Sequence, residues 1–294
     1  MIERSPWFDA FCHVMLFIGV ATICLPLYYA VIAATHSSTD VLKVPMSLVP
    51  GTELVANVRE AMAASNLGRQ LFNSFVVAVG ITVAKIAVSI LSAFAVTYFS
   101  FRLRGLAFWL IFLTLMLPIE VRIIPTYELA ANVLQPLTWL LQGVFELKLQ
   151  WNLLDSYTGL ILPLTASATA TFLFRQLFLT IPDELLEAAK IDGARPLQFL
   201  RDVLWPLSRT NVIAMTVILF VYGWNQYLWP LVITTDPSMM TAIVGLTKAL
   251  PGASDAIPQW NVAMAATLLV SLPPVAVVIL LQRWFVKGLV DVEK

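Results

Sequence analysis

Residues 158–233 read TGLILPLTASATATFLFRQLFL (158–179), TIPDELLEAAKIDGARPLQFLRDVLWP (180–206) and, after a four-residue link, NVIAMTVILFVYGWNQYLWPLVI (211–233). Each flanking run is long and apolar enough to cross a hydrocarbon core as a helix, which takes about 20 residues. The segment between them is dense in charge and in good helix formers. It therefore reads as a structured loop on one membrane face, held between two spans.

The rest of the chain repeats that pattern. Of 294 residues, 59% are hydrophobic and 12% charged, with a mean hydropathy of +0.83. A soluble domain carries about 25% charged residues, so this chain cannot clothe a globular surface. Disorder, a collagen-like fibre and a disulfide-stapled secreted domain are excluded on the same grounds. Cys12 and Cys24 lie twelve residues apart on one apolar run, about 18 Å along a helix and beyond disulfide reach. Net charge is zero, which gives no basic footprint for nucleic acid.

Runs free of charge predict six spans: Phe11 to Ala34, Leu71 to Phe99 (interrupted by Lys85), a third from Leu106 that degrades at Pro118, Glu120, Arg122 and Pro125, then Thr158 to Leu179, Asn211 to Ile233 and Val262 to Trp284. The first is too long for a signal-peptide core. Lys and Arg placement sets orientation. With the N-terminus in the cytoplasm, Arg4, Arg102, Arg104, Arg175, Lys190, Arg195, Arg201, Arg209, Arg283, Lys287 and Lys294 fall inside. Only Lys43, Arg59, Arg69, Arg122, Lys148 and Lys248 fall outside, so both termini are expected to be cytoplasmic. Val133 to Phe145 is apolar but too short to span, and is expected to be an interfacial or packed external helix. The division expected is residues 1–70 as N-terminus, first span and external segment, 71–286 as a five-helix core with the loop 180–209, and 287–294 as a cytoplasmic tail.

Within the loop, Thr180 with Asp183 suggests a capping box and Pro182 suits a first helical turn. Asp183 to Lys190 predicts two helical turns, with Glu187 and Lys190 as an i,i+3 pair. Gly193 supplies a left-handed stop. Pro196 opens a second short helix that Pro206 is expected to end or kink. The residues admit two readings. One is a loop folded on the membrane surface. The other is a docking element in which Ala188, Ala189 and Gly193 allow close approach and flanking charges set register.

The stretch Glu187-Ala-Ala-Lys-Ile-Asp-Gly-Ala194, followed by Pro206, resembles the EAA loop of binding-protein-dependent ABC importer permeases in both spacing and topological position. The resemblance extends over nearly the whole chain to the maltose-type permeases, through Asn73-Ser74, Leu117-Pro118, Pro125 and Trp224-Asn-Gln-Tyr-Leu-Trp-Pro230. It is nearest to the second permease subunits of bacterial sn-glycerol-3-phosphate importers, through Thr114 to Thr126, Ser167 to Gln176 and Phe285 to Lys294. The stretch from Val133 to Trp151 is longer than that family's usual connection. The resemblance implies an all-α, six-span type I importer permease in a bacterial inner membrane. The implied partners are a second, homologous permease, two copies of a cytoplasmic ABC ATPase and a periplasmic substrate-binding protein. It assigns ATPase coupling to Glu184, Glu187, Ala188, Ala189, Asp192, Gly193, Ala194 and Pro206.

No G-x-x-x-x-G-K-[ST] phosphate loop occurs. Cofactors are therefore expected to be absent from this chain, with ATP and magnesium on the partner ATPase. For the substrate path, Tyr222, Asn225, Gln226 and Trp229 form polar-aromatic rows one turn apart on the fifth span, and Glu120 and Arg122 interrupt the third. Helix–helix hydrogen bonding and an interfacial aromatic belt are equally open to the fifth-span residues. Lys85 is expected to pair with a polar group on a sister subunit or to snorkel. His13 has no ligand set, so no metal site is expected, and no convergent acid–base set suggests an enzyme. The expected cargo is sn-glycerol 3-phosphate or a glycerophosphodiester. Alternatives are a sugar or oligosaccharide for the same family, or a stand-alone secondary transporter, for which no inverted repeat is apparent.

Overall fold

A computed structural model describes residues 6–64, 66–114, 119–136, 151–252 and 258–290, and every regular element among them is helical. Besides the short turns Ser38–Val41 and Pro237–Met239, these are in chain order α1 (Pro6–Thr35), α2 (Leu54–Ala64), α3 (Leu67–Tyr98), α4 (Arg104–Leu113), α5 (Ile119–Ala131), α6 (Tyr157–Leu164), α7 (Ala168–Leu179), α8 (Asp183–Ile191), α9 (Pro196–Trp224), α10 (Leu228–Ile233), α11 (Ala242–Lys248) and α12 (Trp260–Val290). Of these, α1, α3, α9 and α12 are long and apolar enough to cross a membrane, and the bent pair α6–α7 makes a fifth candidate. The expected third span is represented by α4 and α5, on either side of residues 115–118. The expected helix within Val133 to Phe145 lies largely outside the described residues.

Three local expectations are corrected. The fourth span bends by 50° between Leu164 and Ala168, because Pro163 lacks a ladder N–H and the Ser167 hydroxyl caps a new helix, accepting from Ala170 N–H at 3.3 Å. The fifth span does not run through to Ile233. It stops at Trp224 and resumes at Leu228. Pro206 does not end its helix either. A π-turn over Leu200–Leu204 precedes it, and that wider turn makes room for the ring.

The described chain divides into two compact units. The first comprises residues 1–69 and 245–272. Along most of its length α1 offers apolar side chains outward, among them Trp7, Phe17 and Ile23. Its end is tied down by backbone-directed bonds. Asn57 Nδ2 donates to the Ala34 and His36 carbonyls, both at 2.8 Å, and Asn57 Oδ1 accepts from Asn261 at 2.7 Å. Gly51 N–H donates to the Thr35 hydroxyl at 2.8 Å, where a Cβ would collide with the Thr35 carbonyl oxygen.

The second unit comprises residues 70–244 and 273–294. Its core has two levels along α3. At one, Ile86, Ile90 and Phe94 pack with Phe174 and Phe178 of α7 and with Phe199, Leu204 and Met215 of α9. At the other, Val77 and Ile81 pack with Ala130, Leu160, Leu164, Trp229 and Ile233. Close approach depends on small residues. A Cβ on Gly159 would strike the Leu153 carbonyl oxygen, and one on Gly223 would lie 3.1 Å from Ala78 Cα. Buried Asn73 joins three segments at this second level. It donates to the Ser238 and Met240 carbonyls at 2.8 and 2.9 Å and accepts from the Tyr157 hydroxyl at 2.7 Å.

Candidate functional site

The segment between the spans folds as the expected hairpin, with different chemistry at its start. Helix α8 begins after Pro182 with no side-chain cap. Thr180 instead closes α7, its hydroxyl donating to the Leu177 carbonyl at 2.7 Å. Asp183 and Glu184 lie in the first turn of α8 and Lys190 in the last, which suits the helix dipole. The end is a Schellman closure. Ala194 N–H donates to the Ala189 carbonyl at 2.9 Å and Gly193 N–H to the Lys190 carbonyl at 3.1 Å, with Gly193 at φ +71°. Gln198 then opens α9 by accepting from Arg195 N–H at 2.6 Å.

The hairpin has two faces. Leu186 and Ala189 pack on the core that holds Phe94, Phe178 and Phe199. Tyr98 is fixed there by its hydroxyl, which donates to the Phe178 carbonyl at 3.2 Å. The opposite face carries Glu184, Glu187, Ala188, Asp192 and Gly193, all exposed, and Ile191 is 86% exposed. Ala194 is half-buried and Pro206 exposed. The Glu187–Lys190 pair does not form. The ion pairs among the described residues are Lys43–Asp40 and Arg201–Asp202, both at 2.7 Å. Leaving Glu187 and Lys190 unpaired keeps both charges available on an outward surface.

Of the two rows expected on the fifth span, the helix break separates Asn225 from Trp229, while Gln226 stays against Tyr222. Asn225 caps α9 and is exposed. Gln226 Nε2 donates back to the Tyr222 carbonyl at 3.1 Å. Trp229 is 2% exposed, and its indole N–H donates to the Gly159 carbonyl at 3.1 Å. Arg122 on α5 is exposed and lines a crevice of about 20 Å³ with Thr126, Pro163, Leu164 and Trp229. The Glu120 side chain lies outside the described residues. Lys85 does not snorkel. It is 5% exposed, near the middle of α3, with Nζ 3.8 Å from the centroid of the Tyr222 ring. The sequence signal for it was a lone charge in an apolar run. Its partner on another helix was not legible.

Beyond the second core level, Asp155 at φ +50° ties the segment before α6 to the one after α10. Its carboxylate accepts from the Thr235 hydroxyl at 2.6 Å and from the Thr235 and Asp236 N–H groups at 2.7 and 2.8 Å. Burial works to raise its pKa, but these three bonds together hold it below the ordinary value. Among the described residues, no three His, Cys, Asp or Glu side chains gather as a metal site.

The family described as binding-protein-dependent transport system inner membrane component matches residues 85–291. The sn-glycerol-3-phosphate transport system permease protein UgpE of Yersinia enterocolitica is 55% identical over 300 residues, covering 100% of both chains. The protein of the same name from Rhizobium meliloti is 51% identical over 301 residues, again covering 100% of both. A chain of a bacterial ABC transporter involved in the import of the acidic polysaccharide alginate shares the fold, with a TM-score of 0.79 at 19% identity over 97% of this chain and 99% of that one. With that family match and relatives more than half identical from end to end, the chain belongs to the inner membrane components of binding-protein-dependent transport systems.

Proposed function

We propose that this chain is a permease subunit of an ATP-driven importer that carries sn-glycerol 3-phosphate or glycerophosphodiesters across the bacterial inner membrane. The observation that carries the reading is the full-length identity of 51–55% to relatives named as sn-glycerol-3-phosphate permeases. In this reading the chain crosses the membrane six times with both termini in the cytoplasm. It pairs with a second, homologous permease and receives cargo from a periplasmic binding protein. Two copies of a cytoplasmic ATPase hold ATP and magnesium and do the hydrolysis, while this chain binds no cofactor.

The hairpin transmits the work. Its outward face, with Glu184, Glu187, Ala188, Asp192, Gly193 and Ile191, seats against the ATPase, and its inward face is keyed to the ends of α3, α7 and α9 through Leu186 and Ala189. Closure of the ATPase pair then moves helices rather than a slack loop, because the Schellman end and the packed inner face make the contact rigid. Pro206, on the exposed side of α9 just past its π-turn, lies where such a push enters the span. Tyr222, Asn225, Gln226, Trp229, Glu120 and Arg122 contribute to the wall of the path.

The test is uptake into proteoliposomes holding the complete transporter and its binding protein. Radiolabelled sn-glycerol 3-phosphate, glycerophosphocholine and maltose are competed against one another. Saturable, ATP-dependent uptake of a glycerophosphate compound is expected. Uptake of maltose in its place overturns the cargo, and a lone stable oligomer with no co-purifying ATPase overturns the coupling.

A further inference from the structure

No charge stands between Lys85 and Arg102, so the apolar run carried by α3 ends at Phe101 and the membrane boundary falls at that end of the helix. There the chain reads Phe99-Ser-Phe-Arg-Leu-Arg104. Phe99, Phe101 and Leu103 are 43, 44 and 61% exposed, and Arg102 and Arg104 are exposed as well. Apolar side chains offered outward in alternation with cations suit a headgroup layer, with the rings in lipid and the charges at its surface. Beside this segment, within the same unit, is a pocket of about 110 Å³. It is lined by Tyr98 and Phe99 at the end of α3, by Leu186, Ala189 and Lys190 on α8, and by Phe199 on α9. Lys190 is its one charged wall. The Tyr98 hydroxyl already donates to the Phe178 carbonyl at 3.2 Å. Arg195 is exposed next to Pro196, which also lines the pocket.

Among the described residues, no carboxylate lies within ion-pair distance of Lys190, Arg195 or Arg102. Glu187 leaves Lys190 free, and Asp183 and Glu184 occupy the opposite end of α8. An apolar pocket with a cation at its rim, set at a membrane boundary, has the chemistry that receives an amphipathic anion. We infer that this pocket binds an anionic phospholipid, with an acyl segment packed among Phe99, Leu186 and Phe199 and the phosphate resting at Lys190. The space is about four times one water's share of liquid volume, so it takes the first part of one chain and leaves the headgroup outside. Lipid, and not a side chain of the ATPase, is the occupant because the pocket lies behind the hairpin. Leu186 and Ala189 face it from the core side, whereas Glu184, Glu187 and Ile191 are exposed on the other face. A lipid seated there fills the space between the inner face of the hairpin and the end of α3.

The test uses the complete transporter in nanodiscs of phosphatidylglycerol and phosphatidylcholine in equal parts, with neither ATP nor cargo present. A trace of either lipid carries a photoactivatable acyl chain, and its adducts are mapped by peptide mass spectrometry. The phosphatidylglycerol probe is expected to label the end of α3 and residues 186–199 about fivefold more than the phosphatidylcholine probe, the scale set by one Lys or Arg beside anionic lipid. Lys190→Gln is expected to abolish that preference and Lys190→Arg to keep it. Arg209→Gln, an exposed cation that does not line the pocket, is expected to keep it too. Phe99→Gln, which makes the rim polar, is expected to lower labelling by both probes. Equal labelling of the wild type by the two probes overturns the site. So does a preference that survives Lys190→Gln, or one lost equally in Arg209→Gln, which would reduce it to the general charge of that membrane face. Labelling that appears only after the ATPase is stripped away would assign the pocket to an ATPase side chain and overturn the proposal as well. Each of these results leaves the cargo and coupling readings standing, since none is measured through transport or hydrolysis.

Discussion

Gly193 is the position where the coupling role proposed for the hairpin is most sharply testable. Its φ of +71° lies in the left-handed region, and nothing stands within 4 Å of where a Cβ would be. Alanine there meets only the backbone penalty of that conformation, about 1 kcal/mol. Asparagine, which tolerates the region, is expected to cost less. Proline is a different perturbation. Its ring holds φ near −65° and removes the N–H that donates to the Lys190 carbonyl at 3.1 Å. The chain must then leave the left-handed turn, and the Ala194 to Ala189 bond at 2.9 Å is lost with it. The combined cost is about 3 kcal/mol or more, enough to disorder a nine-residue helix whose residues are all at least partly exposed. None of this touches the apolar spans, so insertion should be normal. The assay is ATP hydrolysis by the reconstituted transporter with and without liganded binding protein, measured beside uptake. The order expected is wild type, Asn, Ala, then Pro, with Gly193→Pro inserted and devoid of transport-coupled hydrolysis. Normal uptake by Gly193→Pro would refute the claim that a rigid Schellman end is needed for coupling.

Three further predictions follow from the same geometry. Ile191→Glu, at a site 86% exposed in this chain, should weaken ATPase association roughly tenfold or more, the scale of one apolar side chain lost from an interface. Quantitative co-purification checks this, and undiminished ATPase recovery would count against the outward face as the docking surface. Asn73→Leu should strand the Ser238 and Met240 carbonyls and the Tyr157 hydroxyl at a cost of about 2–4 kcal/mol, and an unchanged melting temperature in detergent would contradict it. For Asp155 the pKa is depressed in the folded state, so its contribution is present above the ordinary value of 3.8 and fades as pH falls through the lowered value. Hydrogen exchange at the Thr235 and Asp236 amides, corrected for intrinsic rate, should therefore accelerate below about pH 4. The same acid step in Asp155→Asn would assign it to another group.

Most of the spans, and the hairpin, were legible because their signals are local. A helix that crosses a membrane must be continuously apolar, which makes Phe11 to Ala34, Leu71 to Phe99 and Val262 to Trp284 readable by length alone. Pro182, Gly193 and Pro196 punctuate the loop through backbone rules that need no neighbours. The interruptions inside apolar runs were less visible, since hydropathy is blind to whether a run is one helix or two. Asn225 and Gln226 mark the run as polar without saying that the ladder stops there, or that Trp229 is committed to the Gly159 carbonyl, 70 residues away in sequence. Pro206 does not end its helix, because the π-turn over Leu200–Leu204 just before it makes room for the ring.

The sequence by itself determined that the chain lives in a bilayer and which charged segment between two spans folds as a hairpin. Composition and charge placement are one-dimensional quantities, and partition between water and hydrocarbon acts on them directly. What only the tertiary structure decided is which polar groups meet. Lys85 against Tyr222, Asn73 against Ser238, Met240 and Tyr157, and Asp155 against Thr235 all join residues more than 75 positions apart. Such pairings are set by how helices pack around small residues such as Gly159 and Gly223, and packing is a property of surfaces that no single stretch of sequence carries.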